Sequence, residues 1–200
     1  AGALLAKEAK RPVKLMLSRA EEQVDAGNRP DSLQKLKMGI DADGKITSYR
    51  VRNWGTSGPG TRGSGAHNDV IYDVGELDKI EYGVRTNCGG ARALRAPAFP
   101  QGVFALEGMM ELAAKACKTD PIEFRKKHDF HPIRKVQYDM AREKMGWKVN
   151  TQAPATKDPA LKRGYGVASS LWFAAGGGGA AVLVRIHKNG QVEVRNGSQD

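Results

Sequence analysis

The chain has 200 residues, 40% of them hydrophobic, which is enough for one sizeable core or two modest ones and too much for a disordered segment. Its 32 lysines and arginines outweigh 22 aspartates and glutamates, and the formal charge of +10 favours an anionic partner without choosing among nucleic acid, an acidic subunit and a phosphate-bearing cofactor. Cys88 and Cys117 lack CxxC spacing and nearby histidines in a ligand pattern, which argues against structural zinc and a disulfide framework, and no apolar run reaches membrane-spanning length.

From the N-terminus, Ala3, Leu4, Leu5 and Ala6 followed by Lys7, Glu8 and Lys10 predict the end of a buried helix, stopped before Arg11-Pro12. The charges follow the apolar stretch, the reverse of a secretory signal, and a first residue Ala fits a processed chain or an excised piece of a longer one. Val13, Leu15 and Leu17 alternate with Lys14 and Met16 as in a strand of a covered sheet. Residues 18–27 read as a polar link, ended by a turn at Asn28-Arg29-Pro30. The clearest hairpin follows: Leu36, Met38 and Ile40 alternate with polar neighbours, Asp41-Ala42-Asp43-Gly44 turns the chain, and 46–51 returns. Residues 53–68 are too rich in Gly and Ser to hold regular structure and predict a long functional or disordered loop. A short strand over 82–86 leads out of it.

The most informative stretch is next. A glycine- and proline-stiffened loop feeds an amphipathic helix over 101–117, with Val103, Leu106, Met109, Met110, Ala113 and Ala114 at helical spacing. Such a loop offers backbone N–H groups and Arg95 at the positive end of a helix, where phosphate or another anion binds; the motif alone leaves equally open an arginine paired with a structural carboxylate. A second helix starts with Asp120 as N-cap, Pro121 at its first position and Glu123 at the capping-box position. A third spans 133–144, with Val136, Met140 and Met145 on one side and Gly146 as terminator. Residues 151–159 have linker composition. Beyond them, 164–173 read as a strand, 174–179 as a glycine-rich bend, and 182–187 pair through Asn189-Gly190 with 191–195 in a type I′ hairpin. Met109 and Met110 read as core filler and Cys88 as a buried, inert thiol. His67, His128, His131 and His187 share no metal spacing and read as surface or capping residues.

The stretch GGARALRAPAFPQGVFALEGMMELAAKACKTDPIEFRKKH at 89–128 resembles the central part of the large, molybdenum-binding subunit of the xanthine dehydrogenase and aldehyde oxidase (molybdenum hydroxylase) family. The residues that carry the likeness are Ala93, Leu94, Arg95, Ala96, Pro100 and Gln101 in the loop, Glu107, Glu111, Leu112 and Ala113 in the helix, and Asp120, Pro121, Glu123 and Arg125 beyond it. Ala98 stands where many members have glycine. Residues 11–19, Asn28-Arg29-Pro30, the hairpin with Asp43-Gly44-Lys45, and GYGVASSLWF through the Asn189-Gly190 hairpin continue the likeness in the family's order.

The resemblance implies an α+β fold, a mixed sheet and hairpins with packed helices, made of parts of two molybdopterin-binding domains: residues 1–150 the C-terminal part of the first, 151–159 a linker, and 160–200 the incomplete start of the second. It implies a molybdopterin-dependent oxidoreductase that hydroxylates an aldehyde or N-heterocycle with water as oxygen source. Ala93, Leu94, Arg95 and Ala96 would bind the molybdenum cofactor, for which a cytosine dinucleotide form is one option, and Pro97, Ser169 and Ser170 would face the substrate. No catalytic residue and no metal ligand is expected here, because the family's glycine-rich loops and its catalytic glutamate belong outside these 200 positions, so the chain alone would be inactive. Iron–sulfur clusters and FAD would sit on partner subunits or domains, in the cytoplasm or alternatively the periplasm. Pro97 replaces the family's aromatic stacking residue, which argues against purine sandwiching. Cys88 precedes the loop that carries a cysteine in the carbon monoxide dehydrogenase branch, so copper–molybdenum chemistry is not supported. The competing reading is a basic nucleic-acid-binding module without catalysis; 6% aromatic content and the absence of a recognised motif count against it.

Overall fold

Alternating apolar and charged residues from Ser32 onward frame the sheet. In the computed structural model, which describes residues 1–60, 65–148, 158, 160–161, 164–172 and 181–197, strand β1 (Ser32–Ile40) pairs antiparallel with β2 (Ile46–Gly58). Leu36 lies opposite Val51 and Met38 opposite Tyr49, as the alternation requires. Asp41 O accepts the Gly44 N–H at 3.0 Å with Gly44 at φ 72°, and Asp41 Oδ1 accepts the Lys45 N–H at 2.8 Å, which closes the turn.

Strand β2 continues through Asn53–Gly58, which composition had marked as irregular. Small residues serve there as close-packing surface: a Cβ on Gly58 would lie 2.7 Å from Gly90 Cα. Strand β3 (Glu76–Arg85), longer than the one expected over 82–86, pairs parallel with β2 and gives the order β1-β2-β3. Parallel neighbours need a crossover. The described part of this one is irregular yet lies in the core, with Ala66, Asn68, Ile71 and Tyr72 no more than 3% exposed. Side chains satisfy its polar groups: Asn68 Nδ2 donates to Asn53 Oδ1 at 2.9 Å and Gln34 Oε1 at 2.8 Å, and Glu81 accepts the Ala66 N–H at 3.1 Å.

Helix α3 (Phe99–Ala116) lays Val103, Leu106, Met110 and Ala114 into the cluster that holds Tyr49, Val51 and Ile71. Helix α4 (Pro121–His128) begins where expected, Asp120 Oδ1 accepting from the Ile122 and Glu123 amides at 2.8 and 3.1 Å. Glu123 does not close a capping box; its carboxylate pairs at 2.6 Å with Arg142 of α5 (Pro132–Met145), which Gly146 terminates at φ 59°. The side of α5 that carries Val136, Met140 and Met145 faces away from the core. Val136, Met140 and Met145 are exposed and Tyr138 is buried, because the helix is hooked by a tyrosine hydroxyl into a polar network and not by an apolar stripe.

Other expectations need correction. Helix α1 (Gly2–Ala9) forms but buries none of its residues. Residues 13–17 make no strand, for the alternation finds no neighbour to pair with, and Ser18 with Glu21 forms a reciprocal capping box that opens α2 (Arg19–Glu21) and a π-helical turn (Glu22–Ala26). Residues 164–172 carry no strand, while residue 173, the bend at 174–179 and all of 151–159 except Asp158 fall outside the described residues. The final hairpin stands, β4 (Val182–Ile186) against β5 (Val192–Asn196), but Gly190 alone takes positive φ, so its turn is not type I′. Cys88 is exposed, not buried.

His128 is buried, against expectation. Its Nδ1 lies 2.8 Å from Phe124 O and its Nε2 accepts the Ile46 N–H at 3.2 Å, an arrangement only the neutral Nδ1–H tautomer satisfies. Burial, chiefly, pushes its pKa below the usual 6.5. The unfolded chain therefore takes up this proton at higher pH than the folded one. Stability is greatest above the unfolded value and falls as pH drops from about 6.5 towards the depressed native value. Thermal midpoints across that window should decline in the wild type and decline less in His128→Gln.

Candidate functional site

The loop before α3 is shaped by residues far away in sequence. Asn28 and Ala91 form a parallel bridge, Arg92 N–H donating to Asn28 O at 3.0 Å and Asn28 N–H to Gly90 O at 3.3 Å. The close approach needs Gly27 at φ 94°, where a Cβ would lie 2.6 Å from Gly90 O. Arg29 then clamps the loop by donating from Nη1 to Ala96 O at 3.1 Å and from Nη2 to Arg95 O. Gln34 Nε2 donates to Gln101 O at 2.8 Å, and Gln101 Nε2 to Pro30 O at 3.2 Å.

Under this clamp Ala96 and Ala98 adopt φ 59° and 68°, conformations costing about 1–2 kcal/mol each for a residue with a Cβ. The φ of Ala98 explains why glycine suits that position. The helix N-terminus is partly self-satisfied: Phe99 N–H bonds to Ala96 O and Gly102 N–H to Ala98 O, each at 3.2 Å, and Pro100 has none. Its first turn has no acidic residue and no side-chain cap, so the positive end of the helix dipole is left to the Gln101 amide.

A cleft lies on each side of the loop. The first, about 330 Å³, is walled by Arg29, Arg92, Ala93, Leu94, Pro97 and Gln101. Gln101 Oε1 is buried beside it with no hydrogen-bond partner. The second, about 480 Å³ and mostly apolar, is lined by Ala96, Phe99, Phe104, Ser170, Leu171 and Trp172, with the Phe99 and Trp172 rings edge to face at 5.1 Å. Among the residues expected to form a site, Ala93, Leu94 and Pro97 thus share one cleft and Ala96 and Ser170 the other. Arg95 is exposed and lines neither, and Ser169, which lies near the Tyr138 hydroxyl, also lines neither. Among the described residues no group of three His, Cys, Asp or Glu could hold a metal ion.

Sequence reasoning left Arg29 as a turn residue. Its signal was the Asn-Arg-Pro tripeptide, whose partner loop lies more than sixty residues on. It also left Glu107 and Arg125 without a role. They form a buried pair at 2.7 Å, extended by Tyr72 O–H to Glu107 Oε1 at 2.6 Å, the Tyr72 and Tyr138 hydroxyls at 3.1 Å, and Asp129, whose Oδ2 and Oδ1 each take an Arg134 N–H at 2.7 Å. Burial, with the Glu107 charge second, holds the Tyr72 hydroxyl far above its ordinary pKa. Burial disfavours the Arg125 charge, but Glu107 outweighs it and holds that pKa above the usual value. This network is a structural keystone, neutral at the tyrosines and compensated at the ions.

The sequence profile of the molybdopterin cofactor-binding domain matches residues 1–128. The aldehyde oxidoreductase molybdenum-binding subunit PaoC of Escherichia coli O157:H7 is 30% identical over 184 residues, covering 84% of this chain and 25% of that protein. Xanthine dehydrogenase/oxidase of Gallus gallus is 31% identical over 128 residues, 60% of this chain and 9% of its own length. Among solved structures, the aldehyde oxidoreductase of Desulfovibrio gigas superposes with a TM-score of 0.59 at 22% identity, over 71% of this chain and 18% of that one. Quinoline 2-oxidoreductase of Pseudomonas putida 86 gives 0.60 at 20%, over 72% and 22%. The α+β fold is therefore that of a cofactor-binding domain of molybdenum-dependent oxidoreductases. The chain belongs to the molybdenum hydroxylase family, to its molybdenum-binding subunits, and spans a quarter or less of the length of these curated relatives. None of them is a nucleic-acid-binding protein. No helix among the described residues is long and apolar enough to cross a membrane.

Proposed function

We propose that this chain supplies one wall of the cofactor site in an enzyme that hydroxylates an aldehyde or N-heterocycle with water as oxygen source. The observation that carries the reading is the Arg29-clamped loop around a cleft holding an unsatisfied acceptor, Gln101 Oε1. A buried acceptor without a donor suits the N–H edge of a pterin. Arg29 and Arg92 in that cleft, with Arg95 exposed on the same loop and the Gln101 amide at a helix N-terminus, would supply the positive charge that a phosphate requires. The residues present thus fit molybdopterin, in mononucleotide or cytosine dinucleotide form, with the 93–96 backbone along it.

When bound, that group supplies the redox centre at which the substrate carbon is oxidised. The chain's own residues hold and orient: Arg29 fixes the carbonyls of Arg95 and Ala96, Ser170 would meet the substrate from the apolar cleft and Pro97 from the edge of the cofactor cleft, and Ser169, which lines neither, would support Ser170. Pro97 offers no ring for stacking a purine, which favours aldehydes. Electrons would leave through iron–sulfur and flavin partners, and residues beyond 160 would begin a second cofactor-binding domain. A cytoplasmic enzyme is the simplest form of this reading.

Molybdenum analysis and fluorescence of the oxidised pterin on the full-length subunit test it, and absence of both would overturn it. Arg29→Ala should lower bound cofactor about tenfold, the worth of one charge-assisted hydrogen bond, with little change in the melting of the helices.

A further inference from the structure

We propose that the outer face of the three-stranded sheet is a docking surface for an acidic protein partner that presents an apolar ridge, another subunit of the same assembly. The inference rests on the reading above only in taking this chain as part of a multi-subunit enzyme, as its relative named a molybdenum-binding subunit is.

The register sorts this face into rows. Leu33, Trp54 and Tyr82 lie side by side across β1, β2 and β3; the next row is Lys35, Arg52 and Ile80; the third is Lys37, Arg50 and Asp78. One face of an antiparallel hairpin is ordinarily polar when it meets water. Here Leu33, Ile80, Tyr82 and Val84 are between 39% and 60% exposed. The Trp54 and Tyr82 rings stack at 5.2 Å and 12°, with the Lys35 ammonium 5.5 Å from the centre of the indole ring. A contiguous aromatic and aliphatic patch with arginines at its rim is the composition of a protein interface.

Charge selects the occupant. Four cations, Lys35, Lys37, Arg50 and Arg52, share the face with Glu76 and Asp78, and Asp78 is already taken by Arg50 at 2.9 Å and Arg52 at 2.8 Å. Neither Lys35 nor Lys37 has a carboxylate within ion-pair distance among the described residues. A depression of about 410 Å³ walled by Lys37, Ser48, Arg50, Glu76 and Asp78 lies beside these cations, and Lys37 is the cation in it that no carboxylate engages among the described residues. A second copy would set this basic face against itself, which like-charge repulsion disfavours.

The test uses the native assembly of the full-length subunit, wild type against Lys35→Glu/Lys37→Glu and, separately, Tyr82→Ser. Association of the subunits is measured by sedimentation at low and high salt. The charge reversal should weaken association about tenfold and flatten its salt dependence, with molybdenum content and thermal midpoint unchanged. Tyr82→Ser should weaken association at both salt concentrations. Unaltered association overturns the proposal. So does a lowered midpoint in the isolated subunit carrying the charge reversal, which would mean that its own chain covers the face, and so does binding to anionic vesicles that the reversal abolishes while association persists. An assembly that lacks molybdenum and pterin yet still falls apart on charge reversal would overturn the functional reading and leave this one standing.

Discussion

Arg125→Met is expected to cost about 3–5 kcal/mol of stability, the penalty for breaking one half of a buried ion pair. The Arg125 side chain is 1% exposed and makes four hydrogen bonds: Nε to Glu107 Oε2 at 2.7 Å, Nη1 to Glu111 at 3.3 Å and Pro121 O at 3.0 Å, and Nη2 to Glu107 O at 3.3 Å. Its loss strands Glu107, 6% exposed, with the Tyr72 hydroxyl as its remaining side-chain partner. The helices α3 and α4 are joined through this pair, so their packing loosens together. The double variant Glu107→Leu/Arg125→Met removes both charges and should recover much of the loss, since an apolar pair of similar volume is often no worse than a buried ion pair. Thermal midpoints of the two variants decide it; a single variant that melts with the wild type would contradict the account.

Gly102→Ala should destabilise by about 2 kcal/mol, even though alanine is the better helix former by about 1 kcal/mol. A Cβ at this position would stand 2.3–2.4 Å from the backbone N, C and O of His67. Backbone cannot rotate away as a side chain can. The crossover would have to lift from α3, stretching the 3.1 Å bond from His67 N–H to Ala98 O and shifting the loop that Ala98 ends. Gly108→Ala in the same helix is the control: nothing lies within 4 Å of its added methyl, so it should stabilise. Equal melting of the two variants would refute the packing argument.

Local chemistry was legible where it closes on itself. The β1–β2 turn, the Asp120 cap and the Gly146 stop are each written within a few residues, and all formed as expected. What composition misled on is non-local. Gly55, Ser57 and Gly58 looked like loop, but they belong to β2, with Gly55 paired to Gly83 of β3 and the 89–90 backbone packed against Gly58. Val136 and Met140 share a side of α5 as their spacing indicates, but that side is exposed, and what α5 brings to the core is the Tyr138 hydroxyl and its network. At the candidate site, Ala93 to Gln101 stood out through their motif, whereas Arg29, which gives that motif its shape, carries no local mark of the role. Ser169 and Ser170, neighbours in sequence, part company: Ser170 lines the apolar cleft and Ser169 does not.

The Arg29 clamp joins positions 66 and 67 residues apart. The loop therefore has no native shape until the 27–34 segment, the hairpin and the crossover have all come together. Its strained alanines would relax in any earlier state, and the cleft with them. On the proposed reading of the cleft, cofactor capture would be tied to completed folding of this region: a half-folded subunit would have nowhere to put a pterin, and loading would become a check that the chain has been assembled correctly.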